Sequence, residues 1–338
     1  MKKLTIKEIA KMAGVSPTAV SFVINNKEGV SEETRIKVNE IIERTNFKPS
    51  LNSKRLLSKK SYNISLILNP TSSPFKDLFY FEITRGILEK SRELGYNIVI
   101  GEIYAGHDGK NKLPDIIYSN DTDGVIFLQD ISREIQNEIS KTGIPFLVVD
   151  SHSFNEGFPC VSTDYTEASY TAAKYLIGCG HKNIAFFTSS FIPDFYMQTF
   201  TGFKKAMNEA DLSILPSHIQ SNVKDETTAF ACMEQLLKNS DIPTAVLCTV
   251  DIFAVGAIQC AKDNQFKVPE DISFIGIDDI LLSNYIEPKL TTIKIDKIQM
   301  GALAMELIAK KINEEKTDSV VLRSDELIIR ESVLKLSD

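Results

Sequence analysis

The chain changes character near residue 60. Before that point the charge is basic and apolar residues recur at helical spacing. After it, short apolar runs alternate with amphipathic stretches. The first sixty residues hold 13 Lys or Arg against 6 Asp or Glu, a net of +7; the whole 338-residue chain carries −7, so residues 61–338 carry −14. Two such patterns do not share one core. A small basic head on a large acidic body points to a nucleic-acid-binding module joined to something else. The alternative is a merely solvated, charged N-terminus, and the well-capped helix pattern of the head argues against it.

Thr5-Ile6-Lys7-Glu8 is a capping box, with a hydroxyl at the N-cap and a carboxylate three residues on. Ile6, Ile9, Ala10 and Ala13 then repeat at helical spacing, and Gly14 supplies the left-handed backbone that ends a helix. Ser16-Pro17 restarts one, Ser as cap and Pro as first helical residue, with Val20, Val23 and Ile24 facing inward. Asn25-Asn26 and Gly29 break it; Ser31 caps a third helix carrying Ile36, Val38, Ile41 and Ile42. Helix, short turn, helix and supporting helix make a helix-turn-helix domain over residues 1–45.

The run from Thr5 to Asn25, followed by Val30-Ser31-Glu32-Glu33-Thr34-Arg35, resembles the head of the lactose/purine repressor family of bacterial transcription regulators. The resemblance implies that the second helix lies in the DNA major groove. It sets Pro17, Thr18 and Phe22 toward base edges, and Thr5, Ser16, Ser21, Asn25 and Ser31 near the DNA backbone, where short polar groups fix register without reading sequence. Phe22 stands where several relatives carry a polar or basic reader. A phenyl ring can press on a thymine methyl but makes no bidentate contact to guanine. The alternative for Phe22 is a place in the head's own core.

Residues 46–60 resemble the family's linker and hinge helix, which folds when two subunits meet on DNA. Unaided it is too short to be stable in water. The resemblance makes Leu56 an apolar wedge between minor-groove base pairs, with Asn52, Lys54 and Arg55 beside it. An ordinary basic linker is the alternative.

In the body the runs Ile64–Leu68, Ile98–Ile100, Val125–Leu128, Phe146–Val149, Ile184–Phe187, Ala245–Leu247 and Ser273–Ile277 read as strands between helices, which is the pattern of a parallel sheet covered on both faces. Residues 61–338 are too many for one such stack and divide into two doubly wound lobes. Lobe one is expected at about 61–162 and 291–325, and lobe two at about 163–290 and 326–338, the chain crossing back at Thr291-Thr292-Ile293. The family resemblance extends through Asp123-Gly124-Val125-Ile126, Gly180-His181-Lys182-Asn183 and Gly276-Ile277-Asp278-Asp279. It implies a body like the periplasmic sugar-binding proteins, with a small molecule clamped between lobes.

Ligands of doubly wound sheets bind beyond the carboxyl ends of the strands. Asp150, Asp278 and the turn holding Ser73 and Phe75 fall at such ends. The resemblance makes Asp150 and Asp278 effector contacts and adds Phe195, Thr199 and Val250 as pocket positions. Thr199 stands where an arginine is common and Val250 where an asparagine is frequent, so an ordinary sugar pocket is incomplete. Phe191, Phe195, Tyr196, Phe200 and Phe203 make that stretch strongly aromatic, fit either for a stacked ring or for core.

Other classes are weak. The five cysteines show no CxxC or CxxH spacing and read as reduced thiols; Cys179 and His181 lack a third ligand, so no metal and no cofactor is expected. Enzyme motifs such as G-x-S-x-G, H-E-x-x-H and a Walker loop are absent. No secretory leader and no apolar run of about eighteen residues is present, so a cytoplasmic location is expected. The sequence therefore reads as a DNA-binding transcriptional regulator, a repressor acting as a homodimer on pseudo-palindromic operator DNA under control of a small metabolite. A solute receptor without DNA function and an architectural DNA-binding dimer are the alternatives.

Overall fold

The computed structural model describes residues 4–24, 27–45, 47, 60–69, 75–106, 109–153, 157–324 and 326–336. The chain separates into two compact units, residues 1–62 and 63–338. The hinge positions Asn52, Lys54, Arg55 and Leu56, and likewise Asn25 and Ser73, lie outside the described residues.

The first unit holds α1 (Ile6–Ala13), α2 (Pro17–Ile24) and α3 (Glu32–Thr45). Thr5 and Glu8 form the reciprocal capping box, and Gly14 closes α1 in the left-handed region at φ 67°. Ser16 Oγ accepts from Ala19 N at 3.1 Å and Ser31 Oγ from Thr34 N at 3.3 Å, so each hydroxyl caps a helix start. Ile9, Ala10, Ala13, Val20, Val23, Val38, Ile41 and Phe47 form the core. Ile36 is exposed; it lies two residues before buried Val38, on the other side of α3.

The second unit is two α/β lobes. The first sheet contains β1 (Asn63–Leu68) and β2 (Asn97–Glu102), with α4 (Leu78–Leu94) between them. A small hairpin, β3 (Tyr104–Ala105) and β4 (Asn111–Lys112), follows. Then come β5 (Gly124–Leu128), α5 (Arg133–Thr142), β6 (Phe146–Val149) and β7 (Cys160–Thr163). The second lobe begins with α6 (Tyr165–Gly178), β8 (Ile184–Phe187), α7 (Pro193–Glu209), β9 (Ile219–Gln220) and α8 (Glu226–Leu236). It continues through β10 (Ala245–Cys248), α9 (Asp251–Asp263), β11 (Ser273–Asp278) and β12 (Thr291–Lys294). α10 (Lys297–Ile312) and β13 (Val320–Leu322) return to the first lobe, and β14 (Leu327–Ile328) to the second.

The strand orders are β13-β7-β6-β5-β1-β2 and β14-β12-β11-β10-β8-β9, parallel throughout except where β14 runs against β12. In each sheet the direction of winding reverses beside the first strand, and the crevice at such a switch point opens at the strands' carboxyl ends. Thr291–Lys294 belongs to the second sheet, because it pairs in parallel with Ile275–Asp278. The return to lobe one thus follows Lys294, not Thr291 as the sequence suggested; the helix start at Lys297 marks the crossing. The short strands β7, β9, β13 and β14 carried too few apolar residues to announce themselves. Among the described residues no helix is long and apolar enough to cross a membrane.

Three helix pairs pack backbone to backbone, each with a glycine at the crossing. A Cβ on Gly301 of α10 meets Ile83 O of α4 at 2.1 Å, and one on Gly86 meets Ile298 O at 2.1 Å. A Cβ on Gly202 meets Thr166 O at 2.1 Å, and one on Gly256 meets Glu226 O at 2.0 Å. A helix-interior Gly→Ala exchange normally gains about 1 kcal/mol. Here overpacking costs more, so Gly301→Ala is expected to destabilise the body by about 1–3 kcal/mol in denaturant titration. Gly178→Ala, with open space around the new methyl, is the control expected to be neutral or mildly stabilising. Equal effects at both positions would show that the crossing is looser than described.

Candidate functional site

On the head, α2 presents an exposed polar start. Ser16, Pro17 and Thr18 are exposed, as are Thr5 and Ser31. Ser21 is half-buried. Phe22 is also half-buried: a Cβ on Gly29 would lie 3.4 Å from its ring, so one side of the ring is taken by the head's own loop. Only its remaining face is available to a partner.

In the body, a cavity of about 500 Å³ lies at the carboxyl ends of both sheets. Lobe one contributes Asp77, Phe79 and Tyr80 at the start of α4, Gln129 after β5, and Asp150 and His152 after β6. Lobe two contributes Tyr165, Ser189, Phe191, Ile192, Phe195 and Lys224, with Val250, Ile252, Phe253 and Asp278. Gln129, Asp150 and Asp278 have φ of 69°, 60° and 126°, a left-handed backbone that side chains other than glycine rarely adopt. Such backbone costs about 1–3 kcal/mol per residue and clusters at binding sites.

Asp150 is held from two sides. The Tyr80 hydroxyl donates to its Oδ2 at 2.7 Å and the Tyr165 hydroxyl to its Oδ1 at 2.8 Å. His152 Nε2 lies 3.7 Å from Asp150 Oδ2, and the imidazole packs edge-on to Phe195 at 5.2 Å between ring centres. His152 Nδ1 is buried and has no hydrogen-bond partner among the described residues. Asp77 Oδ1 caps α4 by accepting from Phe79 N at 2.9 Å. Burial pushes its carboxyl up, against the capping bond, and Asp150 adds to the push. Asp278 is 3% exposed, and its carboxylate accepts no hydrogen bond among the described residues. Burial, then repulsion from Asp251, holds it well above the usual carboxylate range in spite of Lys297.

Asp251 is a neighbour with a structural task. Its carboxylate accepts from Ser283 Oγ and Thr292 Oγ1 at 2.6 Å each and from Ile280 N at 3.1 Å, tying α9 to the segment after β11. Burial nonetheless lifts it to about 6.

Of the expected pocket positions, Asp150, Phe195, Val250 and Asp278 line the cavity. Thr199 and Phe75 do not. Thr199 is fully buried one turn along α7 from Phe195, and its hydroxyl donates to Phe195 O at 2.8 Å. Phe75 is exposed and outside the lining. The aromatic stretch divides: Phe191 and Phe195 line the cavity, whereas Phe203 is core, stacked on Phe186 at 4.7 Å. Sequence reading missed Asp77, Tyr80, His152 and Tyr165. Asp77 and Tyr165 open helices directly after strand-end loops, a position that could have flagged them; nothing local marks Tyr80 as a partner of Asp150.

A family model described as "Bacterial regulatory proteins, lacI family" matches residues 5–50, and one for a "Periplasmic binding protein-like domain" matches residues 173–333. The HTH-type transcriptional repressor PurR of Histophilus somni (strain 2336) is 33% identical over 337 residues, 98% of this chain and 99% of its own. Catabolite control protein A of Priestia megaterium is 32% identical over 322 residues, 95% of this chain and 96% of its own. A Lac repressor dimer bound to operator and the anti-inducer ONPF shares the fold, with a TM-score of 0.82 at 21% identity, over 98% of this chain and 100% of that one. A CelR–cellobiose complex does so at a TM-score of 0.71 and 23% identity, with the same coverage.

The raised carboxyls of Asp278 and Asp251 fix a pH dependence. A group whose folded pKa lies above its unfolded value adds stability that is complete below the unfolded value and lost as pH rises through the folded one. Both aspartates therefore weaken the body at neutral pH relative to mildly acidic pH. Asp278→Asn removes one of the charges, so the variant should melt higher than the parent at pH 8, with the gap shrinking toward pH 5. Calorimetric melts across that range check this; a gap independent of pH would refute the buried-charge account.

Proposed function

The chain belongs to the lacI family of bacterial regulatory proteins, and from that premise we propose how its two units divide the work. The protein is a DNA-binding transcriptional repressor with an effector-binding body; its family is one of regulators, not enzymes. The head meets operator DNA through α2, with Thr18 and Pro17 at base edges, the free face of Phe22 against an apolar base edge, and Thr5, Ser16, Ser21, Asn25 and Ser31 along the DNA backbone. Ser16 and Ser31 cap the starts of α2 and α3, so a DNA phosphate approaching either meets a helix N-terminus as well as a hydroxyl. The protein acts in the cytoplasm.

The observation that carries the effector reading is the cavity at the carboxyl ends of both sheets, in which a buried carboxylate, Asp278, lacks a hydrogen-bond partner among the described residues. A ligand contacting both lobes favours one arrangement of them, which is what control of DNA affinity requires. Release of DNA on ligand binding is the direction we favour. The body also offers apolar surface to a second copy: Leu78, Phe81 and Leu88 are exposed along one side of α4, with Ile100 on edge strand β2 and Leu281 and Tyr285 on lobe two. A homodimer on a pseudo-palindromic operator follows.

The test is operator titration with and without metabolites that stabilise the chain thermally. At least one such metabolite should shift operator affinity tenfold or more, and Asp278→Asn should abolish the shift. Stabilising metabolites that leave operator affinity untouched would exclude effector control. At the hinge, Leu56→Ala should lower affinity for the operator more than for random duplex while leaving the salt slope nearly unchanged, since few phosphate contacts are lost. Equal losses on both DNAs with a shallower slope would refute the wedge.

A further inference from the structure

Carboxylates and aromatic rings make up most of the cavity wall. Asp77, Asp150 and Asp278 bring three carboxylates to its wall. Asp278 accepts no hydrogen bond among the described residues, and buried His152 leaves Nδ1 without a partner there. Hydroxyl-rich neutral ligands both donate and accept, and sites built for them supply donors to match. The donors on the lining are the side chains of Gln129, Ser189 and Lys224; Val250 has none, and Thr199, outside the lining, spends its hydroxyl inside its own helix. The nearest buried ammonium, Lys297, is committed to the carbonyl oxygens of Asp278, Asp279 at 3.1 Å and Ile295 at 3.2 Å, and is not part of the lining. Lys224 does line the cavity, but it sits over the exposed Phe191 ring at 4.0 Å.

The rest of the wall is aromatic. Tyr165 and Phe195 meet edge to face at 4.9 Å, Phe79 and Tyr80 at 5.2 Å, and Phe253 adds a further ring. Ring faces attract cations through their quadrupole, most strongly where water is excluded. Rings around the Asp278 carboxylate satisfy an ammonium group twice, by charge and by the π-faces.

We propose that the ligand of this cavity is an organic cation, its ammonium group seated among Tyr165, Phe195 and the Asp278 carboxylate. The proposal rests on reading the cavity as the effector site and specifies the class of effector. About 500 Å³ leaves room for an alkyl or ring body beyond the charged group. Burial first, then repulsion, lifts Asp278 and Asp77, and a bound cation relieves the repulsion.

The test uses the full chain and titration calorimetry with matched probes: choline and 4-hydroxybutylammonium, their uncharged carbon isosteres dimethylbutanol and pentanol, and ribose, glucose and hypoxanthine. Saturable binding of an ammonium probe is expected, at least tenfold tighter than its isostere. Asp278→Asn should erase that preference. Phe195→Leu, which keeps apolar volume but removes the ring, should weaken the ammonium probe and leave its isostere unchanged; near-ultraviolet dichroism verifies that both variants fold. Binding of ribose, glucose or hypoxanthine in place of the cations, lost in Asp278→Asn, overturns the cation and leaves the effector site standing. Ammonium binding unchanged in both variants, or no binding by any ammonium probe, overturns the proposal. The effector reading fails separately, if a probe bound in the cavity leaves operator affinity unchanged.

Discussion

Lys297 is buried to 2% exposure at the point where the chain has left the second sheet and starts the last helix of the first lobe. Its ammonium donates to the backbone carbonyls of Asp278, Asp279 and Ile295, on the second lobe's side, and lies 3.5 Å from Glu82 on α4, in the first. A buried charge is tolerable only when its hydrogen bonds are met. Here carbonyls of the second lobe accept them, and Glu82 of the first supplies the opposite charge. The helix that Lys297 begins then runs against α4 with Gly301 and Gly86 at the crossing, close enough that no side chain fits between backbones. The position of α10 thus sets two things together, the closure of lobe one around a chain that has been away for more than a hundred residues and the backbone of the strand end that carries Asp278.

The larger architecture was legible because it rests on patterns that are local. Ile64–Leu68 or Phe146–Val149 can be read as strands from apolarity alone, since strands of a sheet covered on both faces are buried on both sides. Capping at Thr5, Ser16 and Ser31 is likewise written within four residues. The crossing point was not legible. Thr291-Thr292-Ile293 has the same composition whichever sheet receives it, and only its pairing with Ile275–Ile277 decides. β13 and β14 are three and two residues long, too short for any periodicity.

At the cleft the division is similar. Asp150 and Asp278 could be placed at strand ends by counting, but the left-handed backbone that turns them into the cavity has no sequence signature in an aspartate. Tyr80 and Tyr165 were invisible because their role is a partnership across seventy and fifteen residues. Thr199 shows the converse failure. A position inherited from a family pattern was read as a pocket residue, yet a short hydroxyl side chain in a helix finds the carbonyl one turn back, at Phe195, and turns away from the cavity. An arginine at the same place is long enough to reach past that turn; a threonine is not.

Asp150 joins the two lobes at the wall of the cavity. One of its oxygens is bonded by Tyr80 from lobe one and the other by Tyr165, which opens α6 of lobe two. The backbone of His152 is held in the same way, its carbonyl accepting from Gln198 on α7 at 2.8 Å. These bonds cross between lobes at residues that face the cavity or adjoin it. A ligand that claims lone pairs of Asp150 competes with the Tyr165 hydroxyl, whose bond to a carboxylate is itself charge-assisted. The interlobe fastening and the cavity wall are therefore one structure, because Asp150 and Tyr165 belong to both.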